Sequence, residues 1–431
     1  MNRTLSRLAH LPGLMLRAGR VGTIVSGYGL VFGAAAVAGK LRRTTSADAG
    51  DRLVRMLTAL GPSYIKIGQL LSTRQDLLPE HLCAALARLT DSTPPPSRKQ
   101  IEKAIRQSYR DRTWPFAEFE WAPVACGSIA TVHRAVTTDG RLVAVKVRRP
   151  GIGKIMRQDF ELTSMIMATL GTMPPFRSMP VKVMFSQVGG AILRQLDFAA
   201  EHESLVALRA NLGTKEGIKI PAPLPELCTD EIVVMDYIDD LVRFAPGDLS
   251  AEARHEAARR VMSLIYEMLF VDGLVHCDLH PGNLYLTRDV DLVILDAGFV
   301  IKLPESVRMS FADFFINMAM GNGEMCGQIV IDSAAQIAPG CDLVGFRAGL
   351  AGLIVETTGA RSGEFSLARF AGRLFGLQRE YGLYPAPEFA FPLLSLLVLE
   401  GMVVGFDPGL DFQAEAMPIL RRRNTARAAV S

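Results

Sequence analysis

The segment VHCDLHPGNLYLTRDVDLVILDAGFV, Val275 to Val300, gathers side chains suited to handling a charged phosphate. His276 stands two residues before Asp278, Asn283 follows five residues after that carboxylate, and Asp296 comes after the short apolar run LVIL. Phosphoryl transfer asks for little covalent help from a protein; it asks for positioned charge. One carboxylate orients an attacking hydroxyl or water, or takes its proton, and Asp278 is of that type. A second carboxylate and an amide oxygen hold Mg2+ on the phosphates, which suits Asp296 and Asn283. A competing reading makes His276 and His280, with Cys277 between them, a transition-metal pair. Pro281-Gly282 argues against the helix that would hold both imidazoles on one face.

A second array agrees with the first. In LVAVKV, Leu142 to Val147, strand alternation sets Val143, Val145 and Val147 on one face and Ala144 and Lys146 on the other. Lys146 then enters a cleft floored by Ala144, where an adenine ring has room to lie. Glu201, in QLDFAAEHESL, is the candidate helix-borne partner of this lysine. VVMDYI, with Met235 and Tyr237, fits the segment that joins two lobes and offers its backbone to adenine. Upstream, APVACGSIATVHRA reads as a phosphate loop with one glycine where G-x-G-x-x-G is usual. Its Ala125, Cys126, Gly127, Ser128, Ile129, Ala130, Thr131, Val132 and His133 are the candidate nucleotide contacts. Alanine amides can donate to phosphate, but their Cβ atoms disfavour positive φ; Gly127 is expected to return part of that freedom. The order H-x-D-x-x-x-x-N, strand, D-x-G is shared by protein kinases and by small-molecule kinases of the aminoglycoside and choline type.

These residues need elements to carry them. Apolar spacing predicts helices over 48–90, DSTPPPS breaks the pattern, and RKQIEKAIRQSY is another short helix. From Trp114 to Val147 short apolar runs and the turn TTDG predict strands. Residues 154–215 read as helices interrupted by GTMPPF, EIVVMDYI as a strand, and the remainder as mainly helical apart from His276–Val300. The predicted order is a helical extension, a small β-containing lobe and a larger helical lobe, with no internal repeat.

The chain has 431 residues, 49% of them hydrophobic, enough for two or three subdomains. The net charge of +3 does not suggest a nucleic-acid binder. Residues 1–43 hold seven Lys/Arg and no acidic residue, and the tail from Arg421 adds four Arg, so the rest of the chain is net negative. Basic ends on an acidic body suit an anionic membrane surface, or are simply solvated termini. The six cysteines form no C-x-x-C, which points to a reducing, intracellular setting. No signal peptide is read at the N-terminus. The uncharged run Val21–Gly39, about 28 Å long as a helix, is read either as a membrane span or as buried helices of an N-terminal extension.

Taken together, the chain resembles the UbiB/AarF family of atypical, protein-kinase-like proteins. LGPSYIKIGQLLSTRQDLLP is similar to that family's K-x-G-Q signature, giving Lys66, Gly68 and Gln69, then Ser72 and Arg74. ACGSIATVHRA resembles its alanine-rich loop, and QLDFAAEHES its E-x-D and lobe-pairing glutamate, mapping Asp197 and Glu201. VAVKVRRPGI, HCDLHPGN and LEGMVVGFDPGLD also match in kind, over about residues 20–412. Three departures stand out: Gln195 replaces the first glutamate of E-x-D, the metal-binding triplet is Asp296-Ala297-Gly298, and the loop reads Ala125-Cys126-Gly127.

The resemblance implies a mainly helical α+β, kinase-like two-lobed fold with an N-terminal helical extension over the site, into which Lys66 reaches. It implies ATP and Mg2+ as cofactors. It also implies ATPase or small-molecule kinase activity, with protein kinase activity disfavoured. The work would be linked to ubiquinone or other isoprenoid-lipid metabolism, with an isoprenoid lipid or quinone precursor, a membrane surface, and a homo-oligomer or biosynthetic complex as partners. The expected organisation is a basic segment 1–47, a K-x-G-Q extension 48–113, a kinase-like N-lobe 114–240, a helical C-lobe 241–412 and a basic tail 413–431. A nucleotide-binding scaffold without turnover and a soluble small-metabolite kinase are the alternatives.

Overall fold

A computed structural model describes residues 15–28, 46–72, 78, 80–89, 95–170, 181–247, 249–280, 282–358 and 366–428. The chain divides into two compact units, Met1–Val136 with Val145–Leu196, and Thr137–Ala144 with Asp197–Ser431. The fold is mainly helical α+β, as expected.

Unit 1 begins with helix α1 (15–28), followed by α2 (Ser46–Leu60), α3 (Pro62–Ser72), α4 (Glu80–Leu86) and α5 (Arg98–Ser108). Helices α2, α3 and α4 pack at close range because Gly68 carries no side chain. A Cβ there would lie 2.3 Å from Leu89 Cδ1 and 2.9 Å from Leu57 Cδ1. Arg17 of α1 fixes that helix to the unit. Its Nε and Nη2 donate to Asp159 Oδ1 and Oδ2 at 2.5 and 2.8 Å, and Nη2 also donates to the Leu60 carbonyl at 2.9 Å. Asp159 belongs to α6 (Ile152–Leu170), which packs with α7 (Val181–Arg194). Helix α5 starts at a capping box in which the Ser97 N–H donates to Gln100 Oε1 at 2.9 Å.

Strands β1 (Phe116–Phe119), β2 (Ala125–Cys126), β3 (Ala130–Thr137) and β4 (Leu142–Arg148) form a sheet ordered β1-β3-β4, with β2 on β3. Tyr109, Trp114, Phe116, Phe119 and Trp121 make a chain of edge-to-face and tilted ring contacts along β1. The expected strand forms, with Val143 to Val147 buried on both faces, so it reads as a near-continuous apolar run.

Unit 2 carries α8 (Phe198–Leu212), β5 (Ile218–Lys219), β6 (Ile232–Asp236), β7 (Val242–Arg243) and α9 (Ala251–Tyr266). A π-helical turn (Glu267–Asp272) leads into β8 (Leu274–His276), β9 (Leu284–Leu286), β10 (Leu292–Ile294) and β11 (Val300–Lys302). Strand β6 continues the first sheet beside the 142–144 half of β4, where the Tyr237 N–H donates to the Leu142 carbonyl at 3.3 Å. Strands β5-β10-β9-β7 form one small sheet and β8-β11 another.

The helices that follow are α10 (Glu305–Ala319), α11 (Gly323–Asp332), α12 (Leu343–Thr358), α13 (Leu367–Tyr381), α14 (Pro387–Phe406) and α15 (Phe412–Ala428). Strands β12 (Ala334–Ile337) and β13 (Leu383–Pro385) pair between them, an addition the sequence did not announce.

Among the described residues, α14 is the one helix long and apolar enough to cross a bilayer, by length and composition, with a mean hydropathy of 2.1. Its Phe391, Leu396, Leu399 and Val403 are buried against the unit, as in a core helix. The run read as a candidate span, 21–39, is described only to residue 28, where it continues α1 and buries Val21; residues 29–39 lie outside the described set.

Candidate functional site

In unit 2, topology converts sequence spacing into proximity. The π-helical turn ends at Gly273, whose φ of +68° and N–H bond to the Met268 carbonyl at 2.9 Å turn the chain into β8. Antiparallel pairing of β8 with β11 sets His276 opposite Val300. Antiparallel pairing of β9 with β10 sets Leu284 opposite Ile294. Asn283 therefore sits just before β9 and Asp296 just after β10, on the same end of that hairpin, and the Leu295 N–H donates to the Asn283 carbonyl at 3.2 Å.

His276 ties the two carboxylate-bearing segments together. Its ring is fully buried. Nδ1 lies 3.1 Å from the Asp278 N–H and accepts it, so Nε2 carries the proton and donates to the Asp296 carbonyl at 2.7 Å. Burial pushes the imidazole pKa down, against the pull of the nearby Asp296 charge and carbonyl. A neutral ring of fixed tautomer results. Ser395 of α14 donates its hydroxyl to the His276 carbonyl at 2.8 Å, so a core helix anchors the same residue from behind.

Asn283 donates Nδ2 to the Asp278 carbonyl at 2.8 Å, which leaves its amide oxygen as the group to offer a cation. Asp296 Oδ1 accepts the Gly298 N–H at 2.7 Å. Asp278, Asn283 and Asp296 are thus joined through backbone and one imidazole. The transition-metal pair is not formed. Both His276 nitrogens are engaged by backbone, and His280 Nδ1 accepts the Gly282 N–H at 3.0 Å. Among the described residues no three His, Cys, Asp or Glu side chains form a self-sufficient metal site. The oxygen donors Asn283 and Asp296 are of the kind that suits Mg2+, which keeps waters and takes substrate phosphate oxygens.

In unit 1, the loop after β2 is a tight turn. Ala125 pairs with Val132 and Cys126 with Thr131, and the Gly127 N–H donates to the Ala130 carbonyl at 2.9 Å. Gly127 does not adopt positive φ, and a Cβ there would meet only the Ala130 oxygen, at 3.7 Å. The conformational freedom expected of this glycine is therefore not used; the turn is one that alanine can make.

Arg149, which the sequence reading passed over, grips the loop instead. Its Nε donates to the Gly127 carbonyl at 2.8 Å, its N–H to the Ile129 carbonyl at 2.8 Å, and Nη2 lies 3.0 Å from Cys126 Sγ. It stands three residues beyond Lys146, so the loop and the lysine strand are fastened to each other. The available signal was the basic pair closing VAVKVRR.

Ser128, Thr131 and His133 are buried, and Ile129, Ala130 and Val132 complete the turn and the start of β3. His133 donates Nδ1–H to the Glu120 carbonyl at 3.0 Å and accepts the Thr131 hydroxyl at Nε2, also at 3.0 Å. Its ring lies 5.3 Å from Phe119, and burial pushes its pKa down. The Thr131 and His133 side chains are thus engaged within the sheet, on the face opposite Val132.

Lys146 and Glu201 are each buried, in different units. Glu201 lies in the first turn of α8, whose N-cap Asp197 accepts the Ala200 N–H at 3.0 Å. Ala144 is buried beside Lys146 in sequence, and Met235 is buried in β6. The Tyr237 N–H is occupied by Leu142, as described above. Lys66 and Gln195 are buried polar residues of unit 1. Gln69 donates Nε2 to the Leu89 carbonyl at 3.2 Å, fastening α3 to the turn that follows α4.

Comparison with known proteins bears on the family and the fold. The ABC1 atypical kinase-like domain profile matches residues 88–330. Uncharacterized protein slr0889 of Synechocystis sp. is 30% identical over 299 residues, covering 66% of this chain and 73% of its own. Probable protein kinase UbiB of Shewanella woodyi is 28% identical over 386 residues, covering 86% and 69%. The solved complex of Rv3197 with erythromycin, from Mycobacterium tuberculosis, has the same fold with a TM-score of 0.57 at 20% identity, covering 89% of this chain and 97% of its own. The chain belongs to the ABC1 family of atypical kinase-like proteins.

Proposed function

We propose that the protein is a Mg-ATP-dependent atypical kinase or ATPase of the UbiB type. The observation that carries this reading is the His276 bridge, which holds the Asp278 loop and the Asp296 turn in one arrangement with a neutral imidazole. Bound Mg-ATP would supply the transferable phosphoryl group and the charge that binds it. Asp278 orients the attacking hydroxyl or water and takes its proton. Asn283 Oδ1 and the Asp296 carboxylate hold the cation. Lys146 neutralises phosphate charge, and Glu201 is its assigned acidic counterpart. The 125–133 turn offers backbone amides to phosphate oxygens, with Arg149 fixing its shape, while Met235 and Tyr237 line the adenine side. Lys66, Gln69 and Asp197 are, by resemblance, the motif residues of the extension and its acidic counterpart.

By resemblance, the acceptor class is an isoprenoid lipid or quinone precursor met at a membrane surface. The test is ATP hydrolysis with liposomes and an alkylphenol, comparing wild type with Asp278→Asn and Lys146→Arg. We expect both variants to lose most of the turnover; equal rates in all three overturn the reading. A rise in Tm with Mg-ATP and no turnover under any condition favours the scaffold alternative, whose motive is Gln195 and the Asp296-Ala297-Gly298 triplet.

A further inference from the structure

His280 lies inside the loop from Asp278 to Asn283, and the roles assigned to those two residues leave it unused. The loop is nevertheless folded around it. Its carbonyl accepts the Asn283 N–H at 2.8 Å and the Leu284 N–H at 3.1 Å, at the entry to β9. Its Nδ1 accepts the Gly282 N–H at 3.0 Å. Gly282 gives the ring its room, since a Cβ there would lie 2.7 Å from His280 Cε1 and 2.9 Å from Nδ1. A ring nitrogen that accepts an N–H carries no proton, so the imidazole is neutral and its proton is on Nε2. Nε2 lies 4.0 Å from Asp278 Oδ1.

Turn chemistry does not ask for an imidazole here. Accepting an N–H two residues on is what Asn and Asp side chains commonly do. What histidine adds is Nε2, the atom beside Asp278. The ring is 40% exposed, so packing does little to place it, and the bond to Gly282 sets where Nε2 points. Hydrogen bonds between catalytic groups are often long before substrate binds and shorten with it. Reaching hydrogen-bond length asks the two side chains to close by about 1 Å.

We propose that His280 is a positioning residue for Asp278: Nε2–H donates to Oδ1 and holds the carboxylate in the orientation that receives the acceptor's proton. The inference rests on the proton-accepting role proposed for Asp278. His280 takes up no proton itself, because Nε2 already carries one and Nδ1 is engaged. The proton of the attacking hydroxyl or water passes to Asp278.

Two variants separate the two nitrogens. His280→Asn keeps an acceptor for Gly282 and loses the donor; His280→Gln keeps a donor at the reach of Nε2 and loses that acceptor. In the ATP hydrolysis assay with liposomes and an alkylphenol, His280→Asn should lower kcat about tenfold or more, the scale of one hydrogen bond to a charged group. KM for ATP should stay within about twofold, because the contact serves the chemical step and not nucleotide binding. His280→Gln should turn over at least about threefold faster than His280→Asn. Wild-type kcat in His280→Asn, a change confined to KM, or equal losses in the two variants overturns the assignment. Long-range 1H–15N spectra of the full chain at about pH 8, above the usual histidine range, read the ring without turnover. His280→Gln identifies its signals. We expect the proton on Nε2 and an Nε2 shift that moves in Asp278→Ala; a proton on Nδ1, or an Nε2 shift that Asp278→Ala leaves in place, overturns the assignment. A wild type that hydrolyses no ATP counts against the phosphotransfer reading, and these spectra alone then decide whether His280 addresses Asp278.

Discussion

The pair between Arg17 and Asp159 offers a test whose size follows from burial. The Asp159 side chain is 0% exposed and that of Arg17 14%. Two parallel bonds join guanidinium and carboxylate, and a third ties Arg17 to the Leu60 carbonyl at the end of α2, one residue before the turn into the helix that carries Lys66. The hydrogen bond to Asp159 raises the Arg17 pKa against the opposing effect of burial.

Arg17→Met keeps the apolar stem and removes the charge, leaving a carboxylate buried without its cation. Such a change costs about 3–5 kcal/mol. Both tryptophans, Trp114 and Trp121, lie in the same unit, so their fluorescence during urea unfolding reports where the pair resides. With a slope near 2 kcal/mol per molar urea, the midpoint should fall by about 2 M. Arg17→Met with Asp159→Leu should recover most of the loss, because the unpaired charge is gone, and the cycle should give a coupling of at least about 2 kcal/mol. An Arg17→Met midpoint within about 0.3 M of wild type, or a double variant no better than the single one, refutes the reasoning.

Other expectations follow from single sites. His276 and His133 both have folded pKa values pushed below the ordinary one by burial. The unfolded chain takes up their protons near pH 6.5 while the folded chain does not, so stability is full above that pH. It should fall by about 1.4 kcal/mol per unit per histidine as the pH drops, until the folded rings protonate. Asp272, whose carboxyl is raised by burial, contributes with the opposite sign at lower pH. Urea midpoints at pH 7 and pH 5.5 check this, and a higher midpoint at pH 5.5 contradicts it.

Alkylation followed by mass spectrometry should label the exposed Cys126 first. The buried Cys326, whose thiol burial pushes up to about 12, should react only after unfolding. Gly68→Ala should destabilise by about 1–2 kcal/mol, since overpacking against Leu89 and Leu57 outweighs the helix propensity gained. Gly127→Ala should stay within about 0.5 kcal/mol of wild type, and urea midpoints of the two glycine variants check both values.

The HxD, N and DxG array was legible because each group is separated from the next by a short element, and a hairpin of fixed register brings its two ends together whatever surrounds it. Lys146 was legible for a related reason: strand alternation fixes its face without reference to neighbours. The helices of the extension were legible from periodicity, and K-x-G-Q from resemblance, but not the separate reasons for its residues. Gly68 is there because Leu57 of α2 and Leu89 beyond α4 leave no room for a Cβ, and Gln69 because the Leu89 carbonyl needs a donor. Neither partner lies within one turn of helix, so no local pattern could name them. The expected freedom of Gly127 failed because φ depends on the turn that Arg149 closes from beyond β4.

By itself, then, the sequence determined which chemical groups are present, in what order, and which elements carry them. Tertiary structure alone decided the tautomer and neutrality of His276 and the pairing of Arg17 with Asp159. Those properties depend on which partner removes a group from water and which atom then answers it, and a linear pattern carries neither the partner nor the solvent.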